Sequence, residues 1–249
     1  MADIAAMGWI YAALAVVTCV AGVMRGFAGF GSGLLMAPVF GLAMPPATVV
    51  LVILTLNLVT TVQIFREALR LVHWPLVLRL FIPSLAGIPI GLSLIHFLDP
   101  LLTRKLIAAL VAVLTIALFR GWHYDGRRGR VSDAVTGLIS SAMTSLAGIG
   151  GPPVILYLLS DRTQSHGSVR ATCLVFFFLV QVAALVPLAL GTTIGAQQGC
   201  AMLALLPAYV LGNWLGLRAH LWASGRLQCV AHRISLAILF ITSAITLLV

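Results

Sequence analysis

Two glycine-rich clusters carry the residues whose types and spacing could do chemistry in this chain. The first spans residues 26–33, the second spans residues 147–153, and each lies beside long apolar runs. Each glycine costs a continuous helix about 1 kcal/mol relative to alanine, and Pro152 and Pro153 prevent a smooth helix through the second cluster. A helix that restarts after such a break points free N–H groups and a partial positive charge at the break. The clusters therefore predict an anion site built largely from backbone.

Close packing is the alternative interpretation of these glycines, because small residues let membrane helices approach one another. For the two clusters we favour the binding site. For the pairs Gly87/Gly91 and Gly212/Gly216, which have the GxxxG spacing, we favour packing alone.

Polar side chains near the clusters complete the candidate site. Arg25 directly precedes the first cluster; it either pairs with an anion or, if the first helix ends there, extends to the membrane surface. Asn57 and Gln181 each lie about eleven residues into equivalent helices, where a buried amide needs another helix or a substrate as its partner. The predicted substrate-binding residues are Arg25, Gly29, Gly31, Ser32, Gly33, Asn57, Gly148, Gly150, Gly151, Pro152 and Gln181. Weaker candidates are Thr60, Thr61, Thr144, Ser145 and Asn213.

Carboxylates do not occur deep inside any long apolar run: Asp133 begins one run and Asp99 ends another. Sites for Na⁺ and proton relays often use intramembrane carboxylates. Their absence weakens a cation-transport interpretation and leaves open a coupled proton that travels on a protonatable substrate. The six histidines and four cysteines form no HxxxH, HExxH or CxxC spacing, so we expect no catalytic residues, no metal site and no cofactor.

The apolar runs that must position these residues extend almost from end to end of the chain. Hydrophobic residues make up 61% of the 249 positions and charged residues 8%, whereas a soluble domain has roughly 25% charged residues. The expected surrounding is the lipid bilayer, and the expected fold is an all-α integral membrane protein of about ten segments. Eight long runs lie at residues 8–25, 47–65, 76–98, 103–119, 133–147, 169–191, 200–217 and 233–249. Two short runs, each either a full crossing or a re-entrant segment, lie at 33–44 and 150–160.

The two clusters align with each other when the chain is shifted by 119 residues. An offset of 124 then aligns Asn57 with Gln181, and an offset of 125 aligns the two GxxxG pairs, which predicts a five-residue insertion near residues 161–170. The chain is therefore expected to be a duplication. The expected division is a first membrane repeat at residues 1–122, a basic connection at 123–130 and a second membrane repeat at 131–249.

Basic residues decide the expected orientation, because cytoplasmic connections collect Lys and Arg. The uncharged connections at 44–47 and 192–199 are expected outside. With five segments per half, counting each short run, the halves form an inverted repeat with both termini outside. The net charge of +9 is explained by these connections, and no stretch predicts nucleic-acid binding. The basic residues expected in the cytoplasm are Arg66, Arg70, Arg120, Arg127, Arg128, Arg130, Arg162, Arg170, Arg218, Arg226 and Arg233.

The glycine-rich first cluster followed by Pro38, and the second cluster from Gly148 to Pro152 in a duplicated chain, resemble the TauE/SafE family of sulfite exporters. The resemblance covers essentially the whole chain, and the second cluster is its more specific part. It implies transport of sulfite, sulfonates or other organic anions, mostly outward across the bacterial inner membrane. Many members have consecutive glycines where this chain has Ser32, so a hydroxyl is expected at the site.

We therefore expect a multi-pass secondary transporter of the bacterial inner membrane whose partners are a small anion and the lipid bilayer. Sulfite or an organosulfonate is the expected substrate, and export is the expected direction. The alternatives are a passive anion channel and a transporter of a non-sulfur organic anion. A membrane-embedded enzyme would need a nucleophile with a base, or a metal cluster, at membrane depth, and the sequence offers neither.

Overall fold

A computed structural model gives the structure of residues 2–120, 126, 129–158, 166–191 and 196–222. All regular secondary structure in these ranges is α-helical. The helices are α1 (Ala2–Ala28), α2 (Ser32–Gly41), α3 (Pro46–Leu71), α4 (Trp74–Phe97), α5 (Pro100–Phe119), α6 (Arg130–Ala147), α7 (Gly151–Leu158), α8 (His166–Gly191) and α9 (Ala196–Trp222).

The described helices account for both predicted short runs and for each predicted long run except 233–249, which lies outside the described residues. Four helices are long and apolar enough to cross a membrane by length and composition, and they lie at 74–97, 100–119, 167–191 and 202–219. The prediction of an all-α integral membrane protein is confirmed.

The distribution of side chains is that of a protein dissolved in lipid. Large apolar side chains point outward along the helices, with Phe97 and Leu190 among the most exposed. Polar side chains point inward, and α6 buries Ser140, Ser141 and Thr144 on its inner face. This pattern is favourable where the surrounding solvent is apolar and polar groups need protein partners.

Small residues bring two pairs of helices into backbone contact. A Cβ atom at Gly212 or Gly216 of α9 would collide with the backbone of Cys19 or Val23 of α1. In the same way, Gly87 and Gly91 of α4 lie against the backbone of Leu138 and Ala142 of α6. The GxxxG pairs are therefore packing positions, as predicted, and both helix pairs are parallel because residue numbers increase together along each contact.

These two interfaces are copies of each other at constant offsets. Cys19 and Leu138 differ by 119 residues, as do Val23 and Ala142, while the glycines opposite them differ by 125. Between the pairs, α3 runs antiparallel to α8: the Phe65 ring lies 4.3 Å from that of Phe178, and the His73 amide donates to Thr172.

The helix directions follow from these contacts. Helix α4 is antiparallel to α3, because Val77 clusters with Ala68 and Ile88 with Leu54. Helix α9 is parallel to α3, because Met202 clusters with Val50 and Tyr209 bonds to Asn57. Helices α1, α3 and α9 therefore point one way, whereas α4, α6 and α8 point the other. Equivalent helices of the two halves thus run in opposite directions.

The predicted five-residue insertion near residues 161–170 falls largely on residues 159–165, which lie outside the described residues. As described, helices α3 and α8 start 120 residues apart, at 46 and 166, and end 120 residues apart, at 71 and 191. Asn57 is the twelfth residue of α3 and Gln181 is the sixteenth of α8, and their equivalence stays a prediction.

The two short helices, as far as the structure describes them, are too short to span a bilayer. Helix α2 has 10 residues and α7 has 8, which gives lengths of about 15 Å and 12 Å. The hydrocarbon core of a membrane is about 30 Å thick. Each short helix therefore covers part of the depth and carries the chain away from a glycine break.

Candidate functional site

Each glycine cluster contains a three-residue break between two helices. Helix α1 ends at Ala28 and α2 begins at Ser32, with Gly29 and Gly31 at φ angles of 84° and 101°. Helix α6 ends at Ala147 and α7 begins at Gly151, with Gly148 at a φ angle of 70°. Such left-handed conformations are strained for residues with a Cβ atom, so glycine is what ends each helix here.

The two breaks touch each other in the interior. A Cβ atom on Gly33 would collide with the carbonyl oxygen of Gly148, and a Cβ atom on Gly151 would lie 3.2 Å from the Cβ of Phe30. Helix α3 closes the contact from one side, because Ile53 packs against Gly148. The sequence-predicted clusters are therefore brought together.

A partly open cavity lies at this contact. All eleven predicted substrate-binding residues line it. The other lining residues are Phe30, Leu34, Thr144, Ile149 and Phe177. Of these, only Thr144 was a candidate from sequence. Phe177 lies one helical turn before Gln181, and that i, i+4 relation is the signal that could have identified it.

The cavity lies near mid-depth of the long helices. Asn57 is eleven residues after the start of α3, and Gln181 is ten residues before the end of the antiparallel α8. At 1.5 Å per residue, Asn57 lies about 17 Å from the start of α3 and Gln181 about 15 Å from the end of α8. These two helix ends are on the same side of the protein, and each distance is about half the thickness of a hydrocarbon core.

Arg25 is buried at this depth, with 7% of its surface exposed. Its Nη1 donates to Oδ1 of Asn57 at 2.8 Å, and its Nη2 donates to the Asn57 carbonyl at 3.3 Å and to Oγ1 of Thr61 at 2.5 Å. The expectation that Arg25 extends to the membrane surface is therefore wrong. Within the described ranges the recorded ion pair is Arg79 with Asp133, so Arg25 has neutral partners only.

Asn57 is the centre of the hydrogen-bond network. Its Oδ1 accepts from Arg25, from the hydroxyl of Ser32 at 2.8 Å and from the hydroxyl of Tyr209. A guanidinium can only donate, and this fixes the orientation of the Asn57 amide. Tyr209 was missed, because one tyrosine in the apolar run of α9 looks like any core residue.

A second chain of hydrogen bonds supports the break before α7. The hydroxyl of Thr144 donates to the carbonyl of Ser140 at 2.8 Å, and the hydroxyl of Ser140 donates to the carbonyl of Gly150 at 2.5 Å. A Cβ atom on Gly150 would collide with the Thr144 hydroxyl. The break is therefore held by polar groups that α6 presents to the interior.

Gln181 lines the same cavity, with 6% of its surface exposed. Its Oε1 is buried and has no hydrogen-bond partner among the described residues. A buried amide oxygen without a donor is costly for the folded state.

The two short helices contribute unequally to the site. The start of α2 presents the N–H groups of Ser32, Gly33 and Leu34, which an α-helix cannot pair internally. The first turn of α7 contains Pro152 and Pro153, which have no N–H group. The two helix ends are therefore unequal, and α2 and Arg25 make the positive side of the cavity.

The remaining weaker candidates do not line the cavity. Thr60 and Ser145 donate to carbonyls of their own helices, and Asn213 packs against Gly22 where α1 meets α9. Thr61 contributes to the site indirectly by holding Arg25, because its hydroxyl accepts a hydrogen bond from Arg25 and donates one to the carbonyl of Asn57.

Comparison with known proteins gives one family. A family model described as sulfite exporter TauE/SafE matches residues 14–247, which is nearly the whole chain. Searches of curated proteins and of solved structures gave no match.

Proposed function

From the premise that this chain belongs to the sulfite exporter TauE/SafE family, a family of membrane transporters, we propose that it is a secondary transporter that exports a small anion. The proposed substrate is sulfite or an organosulfonate, and the proposed location is the bacterial inner membrane. The proposed substrate-binding residues are the eleven that sequence spacing selected, together with Thr144 and Phe177.

The observation that carries this proposal is the buried cation of Arg25. Moving a charge out of water costs several kcal/mol unless a partner compensates it, and here the partners in the described structure are neutral. The start of α2 adds partial positive charge on the same side of the cavity. A site of this kind is favourable for an anion and unfavourable for a cation.

The proposed transport mechanism uses two inverted repeats, at residues 1–122 and 131–249, joined by a cytoplasmic connection at 123–130. It is supported by equivalent helices that run in opposite directions and by breaks whose flanking helix ends are 119 residues apart. Alternating access arises when one part of each repeat rocks against the rest around a fixed central site. The short helices α2 and α7, which meet at the site, are the elements that such a motion would separate.

The test is ligand-dependent stability of the purified protein against sulfite, sulfate, thiosulfate, sulfoacetate, taurine and acetate, followed by flux in liposomes. A ligand at about 100 times its Kd adds about 2.7 kcal/mol to the folded state. We expect a selective rise in Tm with a sulfur anion. We also expect saturable flux of that anion into liposomes without unitary channel currents. Unitary currents would instead identify a passive channel.

The matched variants are Arg25→Gln and Arg66→Gln. Arg66 is an exposed cation of α3, so its loss should leave the anion-dependent rise in Tm unchanged. Arg25→Gln should abolish that rise while leaving the unliganded protein as stable as the wild type or more so, because a buried charge has been removed. An unchanged rise in Arg25→Gln would move the anion site away from this cavity.

A further inference from the structure

Arg170 is a second cation beside the glycine break that precedes α2. It belongs to α8 and is half-buried, and its Nε would lie 3.8 Å from a Cβ atom placed on Gly29. Gly29 lines the cavity, and its N–H group donates to the carbonyl of Arg25 at 2.6 Å. One glycine therefore separates the side chain of Arg170 from the turn of α1 that carries Arg25.

The position of Arg170 on α8 places it on the face of that helix that reaches the cavity. Phe177 and Gln181, which line the cavity, follow Arg170 by seven and eleven residues. At 3.6 residues per turn these spacings are about two and three turns, so the three residues share one face of α8. Arg170 lies about 10 Å before Phe177 along the helix axis, towards the start of α8.

The start of α8 packs against the connection between α3 and α4. The amide of His73 donates to Oγ1 of Thr172 at 3.2 Å, and a Cβ atom on Gly167 would lie 3.8 Å from the side chain of Leu71. Arg170 therefore lies towards the end of the molecule where the distribution of charge predicts the cytoplasm. An arginine near a membrane surface usually extends towards water, whereas the side chain of Arg170 approaches the break.

Two cations are thus arranged in order from this end of the molecule: Arg170 first, then Arg25 at the cavity. Apart from the chain neighbours of Gly29, no other described residue comes within 4 Å of the Cβ position between them. A narrow region with low-dielectric walls concentrates ions of the opposite charge. An arginine has five N–H donors, so Arg170 can hold a protein partner and meet an anion at the same time.

We propose that Arg170 is a transient anion-binding position at the cytoplasmic entrance of the cavity, from which the anion passes Gly29 to reach Arg25. This rests on the proposed function and adds to it the route by which the anion enters. Arg170 acts on the rate of arrival, whereas Arg25 and the N–H groups of α2 hold the anion once it is bound.

The test is the rate of sulfite binding to the full-length protein in nanodiscs, measured by stopped flow at increasing ionic strength. In Arg170→Gln we expect kon to fall about tenfold at low ionic strength, because electrostatic attraction is lost, and koff to change much less. The difference should shrink as salt screens the charge. Arg66→Gln is the control, because it removes an exposed cation near the same end and should leave kon unchanged.

Arg170→Lys separates attraction of the anion from a structural contact. Lysine keeps the charge but not the planar fork of N–H groups, so we expect this variant to keep most of the wild-type kon. A purely structural function would instead lower Tm in both variants and leave kon and its salt dependence unchanged, which would overturn the proposal.

The charge at position 170 can also be restored after folding, should Arg170→Gln fail to fold. Arg170→Cys, in a variant without the four native cysteines, is treated with a cationic or a neutral methanethiosulfonate reagent. We expect only the cationic reagent to raise kon towards the wild-type value.

The outcomes separate this inference from the proposed function. An unchanged kon in Arg170→Gln, or equal kon values after both reagents, would overturn the inference and leave anion binding at Arg25 standing. An equal loss of kon in Arg66→Gln would also overturn it, since any cation at that end would then have the same effect. Failure of the wild-type protein to bind sulfite would count against the proposed function, and the inference would fail with it.

Discussion

Asn57 holds the guanidinium of Arg25 in place without neutralising its charge. The side-chain oxygen accepts from Arg25, Ser32 and Tyr209, which come from three different helices. An aspartate would have the same shape and accept the same donors, but it would form an ion pair with Arg25. Asparagine is thus the residue that orders the network and keeps the cavity positive.

Asn57→Asp should therefore separate stability from binding. We expect anion affinity to fall by at least tenfold, which corresponds to about 1.4 kcal/mol, because the carboxylate takes the place of the ligand beside Arg25. We expect Tm without ligand to be kept or raised, since the buried cation gains a counter-charge. Calorimetric titration with sulfite and thermal unfolding measure the two effects. Retained affinity together with retained stability would contradict the role given to Arg25.

Sequence reasoning found the backbone part of the site more completely than its side chains. Glycine and proline spacing identified both breaks, since few other functions require such residues at membrane depth. Arg25, Asn57 and Gln181 stood out because polar groups are rare in apolar runs. Tyr209 could not be found in this way, because an aromatic residue has the same pattern whether it faces lipid, core or cavity. For Phe177 the one available signal was its position one helical turn before Gln181.

At the scale of the elements, the glycines of the breaks have two different functions. Gly29, Gly31 and Gly148 provide left-handed backbone. Gly33 and Gly150 instead have ordinary φ angles and provide room, for the carbonyl of Gly148 and for the Thr144 hydroxyl respectively. The second function requires the neighbouring helix and could not be deduced from one cluster alone.

Gly33→Ala should damage the site more than it damages the fold. The new methyl group meets the carbonyl of Gly148, so the two breaks move apart and the N–H groups of α2 shift. Gly87→Ala is the matched control, because it creates the same kind of backbone collision away from the cavity. We expect both variants to lose about 1–3 kcal/mol of stability, and only Gly33→Ala to lose anion binding in the titration. Equal losses of binding would mean that the contact between breaks has no special role.

The GxxxG contacts make a second prediction about elements. Gly87 of α4 and Gly212 of α9 face equivalent carbonyls, those of Leu138 and Cys19. We therefore expect Gly87→Ala and Gly212→Ala to lower the free energy of unfolding by similar amounts, about 1–3 kcal/mol each. Gly199→Ala, where the added methyl group meets open space, should be neutral or stabilising by up to about 1 kcal/mol. A large effect of only one interface would argue against equivalent packing in the two halves.

At the scale of the whole molecule, the order of features along the chain predicted the duplication better than any single alignment. The offset of 119 is reproduced by the helix ends around both breaks, and the offset of 125 by the GxxxG interfaces. The insertion predicted near residues 161–170 falls largely outside the described residues, so the equivalence of Asn57 and Gln181 stays a prediction.

The helix directions do not determine which side of the protein faces the cytoplasm. This orientation is instead predicted from the distribution of charged residues. Helix α3 has 26 residues and a length of about 39 Å, enough to cross a bilayer. The connections at its two ends must then lie on opposite sides. Arg66 and Arg70 lie near the end that joins α4, whereas the connection at 42–45 has no charge. The positive-inside rule therefore predicts that 42–45 lies outside and 72–73 lies in the cytoplasm.

In a variant without the four native cysteines, we expect a membrane-impermeant maleimide to label Ala43→Cys in intact spheroplasts and His73→Cys only after lysis. Gly126→Cys, in the basic connection between the halves, should behave as His73→Cys does, because three helices would separate it from the connection at 42–45. If all three cysteine variants were labelled from the side opposite to the one expected, the predicted membrane orientation would be wrong. The opposite directions of equivalent helices would remain unaffected. Labelling of Ala43→Cys and His73→Cys from the same side would contradict a membrane-spanning α3, and with it the placement of Asn57 and the cavity at mid-depth.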